Sequence, residues 1–318
     1  MIERPSLHAL ALFLAVVDHG TMTAAAEAEG ISQPAVSTQV KGLERYYDAV
    51  LLQRTGRGVV PTPTGEVVAV SARRILGLVD ELGRAVNDLE GLQTGRLVIG
   101  ASSTVGEQLL PEHLGRFHAA YPGVALEVRI GNTGEITAAV QARDLDFAFV
   151  GSPPGSDELM AEPVFADRLV AFVAPGDPLL AAAPVDAATL SGRQFVLRER
   201  GSATRDLALG CLAASGCAPG HAIELGSNEA VKRAVEARLG IGLLSTHAIE
   251  AERLAALLTD LPIAGWRCTR SFWLIRRHDR VLTRAARAFL QTLPRPAIAN
   301  HTALPETLST SRPIQKSR

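Results

Sequence analysis

The sequence predicts an α/β protein in two unlike parts, a small helical N-terminal region and a larger domain in which short apolar strands alternate with helices. Three observations carry this. Residues 1–48 break into short helical repeats at glycine-containing turns, residues 64–92 carry one long helical seam, and from Gly95 onward β-type runs are spaced by helical segments.

Leu7, Leu10, Phe13, Leu14 and Val17 recur at helical spacing and give a first helix one apolar face, ended by Gly20. Thr21 or Thr23 can cap a second helix through Ala24, Ala25, Ala26 and Glu27, which stops at Gly30. Ser32 is placed to cap a third, with Pro34 in its first turn, where a missing N–H costs nothing, and Val36, Val40, Leu43 and Tyr47 along it. Two short helices joined through a glycine turn form the helix-turn-helix unit, and the alanines of the second let the third cross closely. The run 54–61, with two arginines and two glycines, reads as a hairpin-like wing suited to phosphates. Beyond it Val68, Ile75, Leu78 or Val79, Leu82, Val86, Leu89 and Leu92 alternate by threes and fours. That is the seam of a coiled-coil-like helix, which implies a dimer; packing against its own domain is the alternative.

Residues 97–101, 124–130, 147–150, 169–173, 195–197, 222–225, 241–244 and 271–275 read as buried strands. Helices are expected over 106–121 and 135–143, with a closing helix over 281–293. This alternation predicts a largely parallel sheet. Residues 295–318 are polar and proline-containing, and are expected to be a disordered tail.

Composition narrows the function. With 32 Lys+Arg against 33 Asp+Glu, no global field advertises a nucleic-acid or membrane partner. Cys211, Cys217 and Cys268 lack metal-ligand spacing and suit a reducing compartment better than a disulfide framework; Cys211 and Cys217 read as small helix or loop residues. The apolar stretch 7–17 contains His8 and has no cleavage-type ending, so neither export nor a membrane span is expected, and the location expected is cytoplasmic. An enzyme fits poorly. The run 240–245 precedes a strand and lacks the third glycine of a dinucleotide fingerprint, no Gly-x-Ser-x-Gly elbow occurs, and the histidines are scattered. No catalytic residue, cofactor or metal is expected.

Two stretches carry chemistry. Ser32, Gln33, Ser37, Thr38 and Gln39 fall on the early part of the third helix, where they can hydrogen-bond base edges and phosphates in a major groove. The plainer alternative is an amphipathic helix with a solvated face. In the second domain Ser102, Ser103 and Thr104 follow a strand and open a helix, a place that favours an anion, although one of them is expected to be an N-cap. The run 198–205, with Ser202, Thr204 and Arg205, repeats the arrangement, and Asn132–Thr133 and Gly151–Ser152 lie where adjacent strands end or helices begin. The crevice at strand carboxyl ends is where such sheets bind ligands. An exported solute-binding protein would match this domain, but not the first 92 residues.

From Leu10 through Ala24-Ala25, 32–37, Leu43-Glu44, Arg54 and 62–65, the chain resembles the LysR-type transcriptional regulators, as far as about residue 294. The resemblance implies a winged helix-turn-helix at 1–65, a dimerising linker helix at 66–94, and a two-lobed periplasmic-binding-protein-like (type 2) effector domain at 95–294. One lobe would comprise 95–167 and 268–294, the other 168–267. It also implies promoter DNA, a small effector, a homodimer or homotetramer, and RNA polymerase as partners. The DNA-contacting set becomes Thr23, Ser32, Gln33, Pro34, Ser37, Thr38, Gln39, Arg54 and Arg57; the effector set becomes Ser102, Ser103, Thr104, Thr133, Gly151, Ser202, Thr204 and Arg205. Within the family, 97–110, 131–133 and 198–205 look most like regulators of carbon-fixation operons and related sulfur-metabolism regulators, which implies an anionic metabolite. The chain departs from the family pattern at Glu29, where a core leucine is usual, at Tyr47-Asp48 for Leu-Gly, and at Leu52 for phenylalanine. Residues 1–65 hold five basic side chains against six acidic ones, a weak charge for phosphate neutralisation.

Overall fold

The computed structural model describes residues 4–56, 58–87 and 95–294. Helix α1 (Leu7–His19) begins where the Ser6 hydroxyl accepts Ala9 N–H and ends at Gly20, whose φ of 71° suits glycine. Thr21, rather than Thr23, caps α2 (Met22–Ala28). Helix α3 (Gln33–Tyr47) starts after Ser32 with Pro34 in its first turn, but the Ser32 hydroxyl makes no capping bond. The helix ends at Asp48 with φ 48°, a left-handed residue, which explains why glycine is usual there.

Leu12, Phe13, Val16, Ala25, Val36, Val40, Leu43 and Leu51 close one core. Strands β1 (Leu52–Thr55) and β2 (Gly58–Pro61) form an antiparallel wing, which Val59 N–H pins to the Gly20 carbonyl at 2.8 Å. Helix α4 (Pro63–Asn87) packs Val68, Ala69 and Ala72 into this same core. Val68, expected on the partner seam, therefore serves its own domain: it lies on the face turned to α1. Val67, Ile75, Leu78 and Leu82 lie exposed instead, Val67 and Leu82 by 67 % and 66 %. Leu89, Leu92 and the Val86 side chain lie outside the described residues, as does the tail 295–318.

The second domain runs β3 (Gly95–Ser102), a π-turn at Val105–Leu109 leading into α5 (Leu110–Ala120), β4 (Val124–Gly131), α6 (Thr133–Gln141) and β5 (Phe147–Val150). It continues through β6 (Leu159–Val173), β7 (Gln194–Arg198), α7 (Ala203–Ala214), β8 (His221–Leu225), α8 (Asn228–Glu236) and β9 (Ile241–Ser245). Helix α9 (Glu250–Leu254), β10 (Thr259–Asp260), β11 (Thr269–Arg277) and α10 (Arg284–Leu290) complete it. Strand order is β4-β3-β5-β11-β6-β9-β7-β8, with β10 on β6.

The sheet is mixed rather than largely parallel. Strands β3, β4 and β5 are parallel, as are β7, β8 and β9, but β6 and β11 run antiparallel to each other and to β9 and β5. Up to Arg168, β6 pairs with β11; from Leu169 it pairs with β9. One strand thus serves two sheet halves, each with its own core. Leu97, Ile99, Phe117, Phe147, Phe149 and Phe289 fill the first half, and Leu169, Phe195, Leu197, Leu212 and Leu243 the second.

Cys211 on α7 and Cys268 before β11 are joined as a disulfide, with Cα atoms 5.8 Å apart across 57 residues of sequence, while Cys217 is a buried thiol. This corrects the expectation of three unpaired cysteines; the fold, not the spacing, brings the two together. Among the described residues no single helix is long and apolar enough to cross a membrane.

Candidate functional site

Helix α3 divides by its burial. Val36, Val40 and Leu43 face the core, while Gln33, Pro34, Thr38, Lys41 and Arg45 are exposed and Ser37 is half-buried beside them. Thr38 Oγ1 donates to the Pro34 carbonyl at 2.8 Å, so its proton is spent within the helix. Gln39 stands apart from Gln33 and Ser37, in a groove with Arg4, Ser6, Ala9 and Tyr46. Thr23 and Ser32 are exposed, Arg54 is exposed on the wing, and Arg57 lies outside the described residues. The acidic excess is partly spent on structure. Asp18 pairs with Arg73 of α4, and the Glu44 carboxylate accepts Leu51 N–H at 3.0 Å. Glu29 is exposed just past α2, so a carboxylate there costs the core nothing.

In the second domain, the ends of β3, β4, β5 and β7 converge with the starts of α6 and α7 on one small cavity of about 10 Å³, roughly the room of one water. Ser102, Ser103 and Thr104 form one wall, Thr133 and Gly151 a second, and Ser202, Ala203 and Thr204 a third. None of the first three hydroxyls caps a helix, against expectation. Ser102 Oγ is buried without a partner, Ser103 Oγ donates to the Gly131 carbonyl at 3.4 Å, and Thr104 Oγ1 accepts from Asn228 Nδ2 at 3.3 Å. Thr133 Oγ1 accepts Gly151 N–H at 3.2 Å. Ser202 sits at the N-cap of α7 with no capping bond of its own.

Arg205 does not join them. It turns outward, donating to the Arg198 carbonyl at 3.2 Å and pairing with Glu224 of β8 at 2.8 Å. The correction is one of helix geometry: Arg205 follows Thr204 by about 100° around α7, and that rotation points it at β8.

Asn132 and Arg198, read in the sequence as parts of the runs 132–133 and 198–205 but left out of the effector set, line the cavity, as does Arg270, which no sequence signal marked, and Asn228 braces it. Arg198, 3 % exposed, is held by Glu199 at 2.8 Å and by Asn228 Oδ1 at 2.6 Å, and donates to Ser103 Oγ at 3.2 Å in the other half. Burial acts to raise the Glu199 pKa, but the Arg198 hydrogen bond and charge, with hydrogen bonds from the backbone and Asn132, together outweigh it and hold the carboxyl below its usual range. Gly134 N–H to the Gly201 carbonyl, 3.1 Å, is a further bond between the halves. Asn132 caps α6 in a reciprocal box with Glu135. Neither an acidic nor a large apolar side chain lines the cavity. Among the described residues no cluster of His, Cys, Asp or Glu could hold a metal.

A helix-turn-helix with an exposed polar third helix, carried by a long helix to a two-lobed α/β domain with a donor-lined cleft, defines a DNA-binding protein with an effector-binding domain. The chain belongs to the LysR family of transcriptional regulators: residues 7–66 match the bacterial regulatory helix-turn-helix protein, lysR family, and residues 90–295 the LysR substrate binding domain. It is 35 % identical to the HTH-type transcriptional regulator CbbR of Sinorhizobium medicae, over 90 % of this chain and 91 % of that one. It is 32 % identical to the RuBisCO operon transcriptional regulator of Allochromatium vinosum, over 94 % and 99 %. Such relatives agree with the carbon-fixation resemblance seen in the sequence. The regulatory domain of CcmR from Synechocystis PCC6803, solved in complex with 2-PG, superposes with a TM-score of 0.59 at 28 % identity, over 62 % of this chain and 95 % of that one.

Proposed function

We propose that the chain is a cytoplasmic regulator whose DNA affinity or DNA geometry is set by a small anionic metabolite bound in the interlobe cleft. The observation that carries the effector class is the lining: hydroxyls, one amide and two guanidinium groups, with no carboxylate. Three helical segments begin there, at Ser103–Thr104, Thr133 and Ala203, and their N-terminal dipoles favour negative charge. That the regulatory domain of CcmR was solved in complex with 2-PG supports a small-molecule effector for the corresponding domain here.

On the DNA side, α3 enters the major groove with Gln33 and Ser37 toward base edges, with Thr23, Ser32, Pro34, Thr38 and Gln39 around them. Arg54 and Arg57 meet flanking phosphates. Residues 1–65, 66–94 and 95–294 act as reader, linker and sensor, with lobes at 95–167 with 268–294 and at 168–267. The exposed face of α4 (Val67, Ile75, Leu78, Leu82) suits pairing with a second copy, and sensor domains join dimers into a tetramer that meets RNA polymerase. Effector binding shifts the balance of the interlobe bonds Arg198–Ser103, Asn228–Thr104 and Gly134–Gly201. Coupling of about 1–3 kcal/mol is enough.

Replacing Gln33 and Ser37 together by alanine is expected to abolish the specific footprint on the promoter while leaving the helical circular-dichroism spectrum intact; each lost base contact weakens discrimination by about 1–3 kcal/mol. An unchanged footprint would remove α3 as the reading helix. Substituting Leu78 and Leu82 by lysine is expected to halve the mass of the assembly in analytical ultracentrifugation. An unaltered mass would place the dimer contact elsewhere.

A further inference from the structure

We propose that Arg270, which neither the sequence pattern nor the family motifs single out, recognises the effector, and that it selects a tetrahedral oxyanion, a phosphate or sulfate group, over a planar carboxylate. This rests on the anionic-effector reading above and sharpens it.

Arg270 lies at the start of β11, the strand that runs against β6 where the two halves meet. Its side chain is 7 % exposed, and its Nε donates to Asp167 Oδ2 at 2.8 Å. Asp167 is fully buried and is fixed in turn by Ser245 Oγ, which donates to Oδ1 at 2.7 Å. The guanidinium carbon stands 4.4 Å from the centre of the Phe272 ring. With Nε tied and one face packed, the planar fork has a fixed direction. Its Nη2 has no hydrogen-bond partner, and the side chain lines the cavity. Gly151 makes room for it, because a Cβ there would come within 2.9 Å of Arg270 Nη1.

A buried guanidinium N–H left unpaired is costly, so its persistence beside a second orphan, Ser102 Oγ, marks a place built to meet an acceptor. Arg198 is a poorer candidate for this role, since Glu199, Asn228 and Ser103 already take four of its five N–H donors. Asp167 balances the Arg270 charge, so net charge is not what selects the ligand. The arrangement of donors is. Ser102 lies at the end of β3, Thr133 at the start of α6, Thr204 in the first turn of α7 and Arg270 at the start of β11, so donors come to the cavity from four separate elements. The three terminal oxygens of a phosphate or sulfate group can answer more of them than the two oxygens of a carboxylate. Any such group is wider than the cavity of about 10 Å³, so its entry must stretch the interlobe bonds, and Arg270 then reports occupancy directly to the strand shared by both halves.

The test is a titration of the full chain with inorganic phosphate, sulfate and acetate at constant ionic strength, followed by thermal shift and calorimetry. Phosphate or sulfate is expected to stabilise the natural chain and acetate to do so far less. In Arg270→Gln the half-saturating concentration is expected to rise about ten- to a hundredfold, the range set by one charge-assisted hydrogen bond, with partial recovery in Arg270→Lys. Arg270→Gln strands Asp167, so the paired variant Arg270→Met with Asp167→Asn, which removes both charges, supplies a folded protein if the single one melts. Unchanged phosphate affinity in that pair, with affinity lost in Ser202→Ala with Thr204→Val, overturns the role of Arg270 and leaves the anionic cleft standing. Stabilisation by acetate equal to that by phosphate overturns the tetrahedral selection alone. Response to none of the three anions overturns the anionic-effector reading and this inference together.

Discussion

Replacing Gly65 with alanine is expected to unfold the DNA-binding half of the protein and leave the effector domain folded. Gly65 is buried in the first turn of α4, and a Cβ there would sit inside contact distance of the Leu51 carbonyl oxygen and 3.2 Å from Pro61 Cβ. The obstacle is backbone, and it is fixed. Leu51 O accepts Thr62 N–H at 2.9 Å, while Thr62 Oγ1 donates to the Val50 carbonyl at 2.7 Å and accepts Gly65 N–H at 3.0 Å. Relief requires α4 to swing off the wing, which uncovers Val68, Ala69 and Ala72. We expect a loss of about 3 kcal/mol, at the upper end for overpacking. Against the small total stability of such a domain that is decisive. Calorimetry of the full chain should show one transition moved down sharply, the other in place, and promoter binding lost. Gly83→Ala is the control: it is exposed in the same helix with nothing near its Cβ, and is expected to stabilise by roughly 0.5–1 kcal/mol. Equal melting of Gly65→Ala and the natural chain would refute the close approach.

The N-terminal half was legible because its signals are local. Gly20, Thr21, Pro34 and the spacing of Val36, Val40 and Leu43 each act within a turn or two of the residue that reads them. Even there, two details escaped. Ser32 occupies the N-cap position without using its hydroxyl, and Val68 belongs to the domain core because α4 begins inside that domain. The apolar seam is continuous, and only the fold decides which stretch of it is already covered.

The effector domain was half legible for the opposite reason. The core of every strand but the two-residue β10 was read, yet the long strand β6 starts ten residues before its apolar run, because Glu162 and Pro163 interrupt the pattern where one face is exposed. The mixed sheet follows from β11 returning across more than a hundred residues to pair with β6 and β5, and no local pattern records such a pairing. The cavity shows the same division. Ser102, Ser103, Thr104, Thr133, Gly151, Ser202 and Thr204 were found from strand ends and helix starts, and the fold brings them together. Arg270 and its Asp167 partner lie 103 residues apart, and Arg198 and Asn228 lie 30 apart, so neither bond leaves a trace in sequence. The Cys211–Cys268 pair is hidden in the same way.

Asp146→Ala is expected to do to the effector domain what Gly65→Ala does to the other half. Asp146 is 2 % exposed; its Oδ2 accepts Val98 N–H at 2.8 Å, and its Oδ1 accepts from Arg280 Nη2 at 2.6 Å. Arg280 is 5 % exposed, donates to the Arg143 and Leu145 carbonyls at 3.1 and 2.6 Å, and lies 3.3 Å from Glu81 of α4. Arg143 also holds Glu81, with both carboxylate oxygens at 2.9 Å, and pairs with Asp279. Removing the Asp146 carboxylate leaves a buried guanidinium short of its nearest counter-charge, which costs about 3–5 kcal/mol. Asp146→Asn keeps the shape and an acceptor for Val98 N–H, so its loss is expected to be smaller. The double change Asp146→Ala with Arg280→Met, which withdraws both charges, is expected to recover part of the stability lost by the single one. Urea melts monitored by tryptophan fluorescence suit the measurement, since Trp266 and Trp273 both lie in this domain. If the double variant is no more stable than Asp146→Ala, the pair is not what the carboxylate is for. Because Glu81 answers to the same two arginines, the single variant is also expected to loosen α4 from the effector domain, read as faster hydrogen exchange of the α4 amides around Glu81.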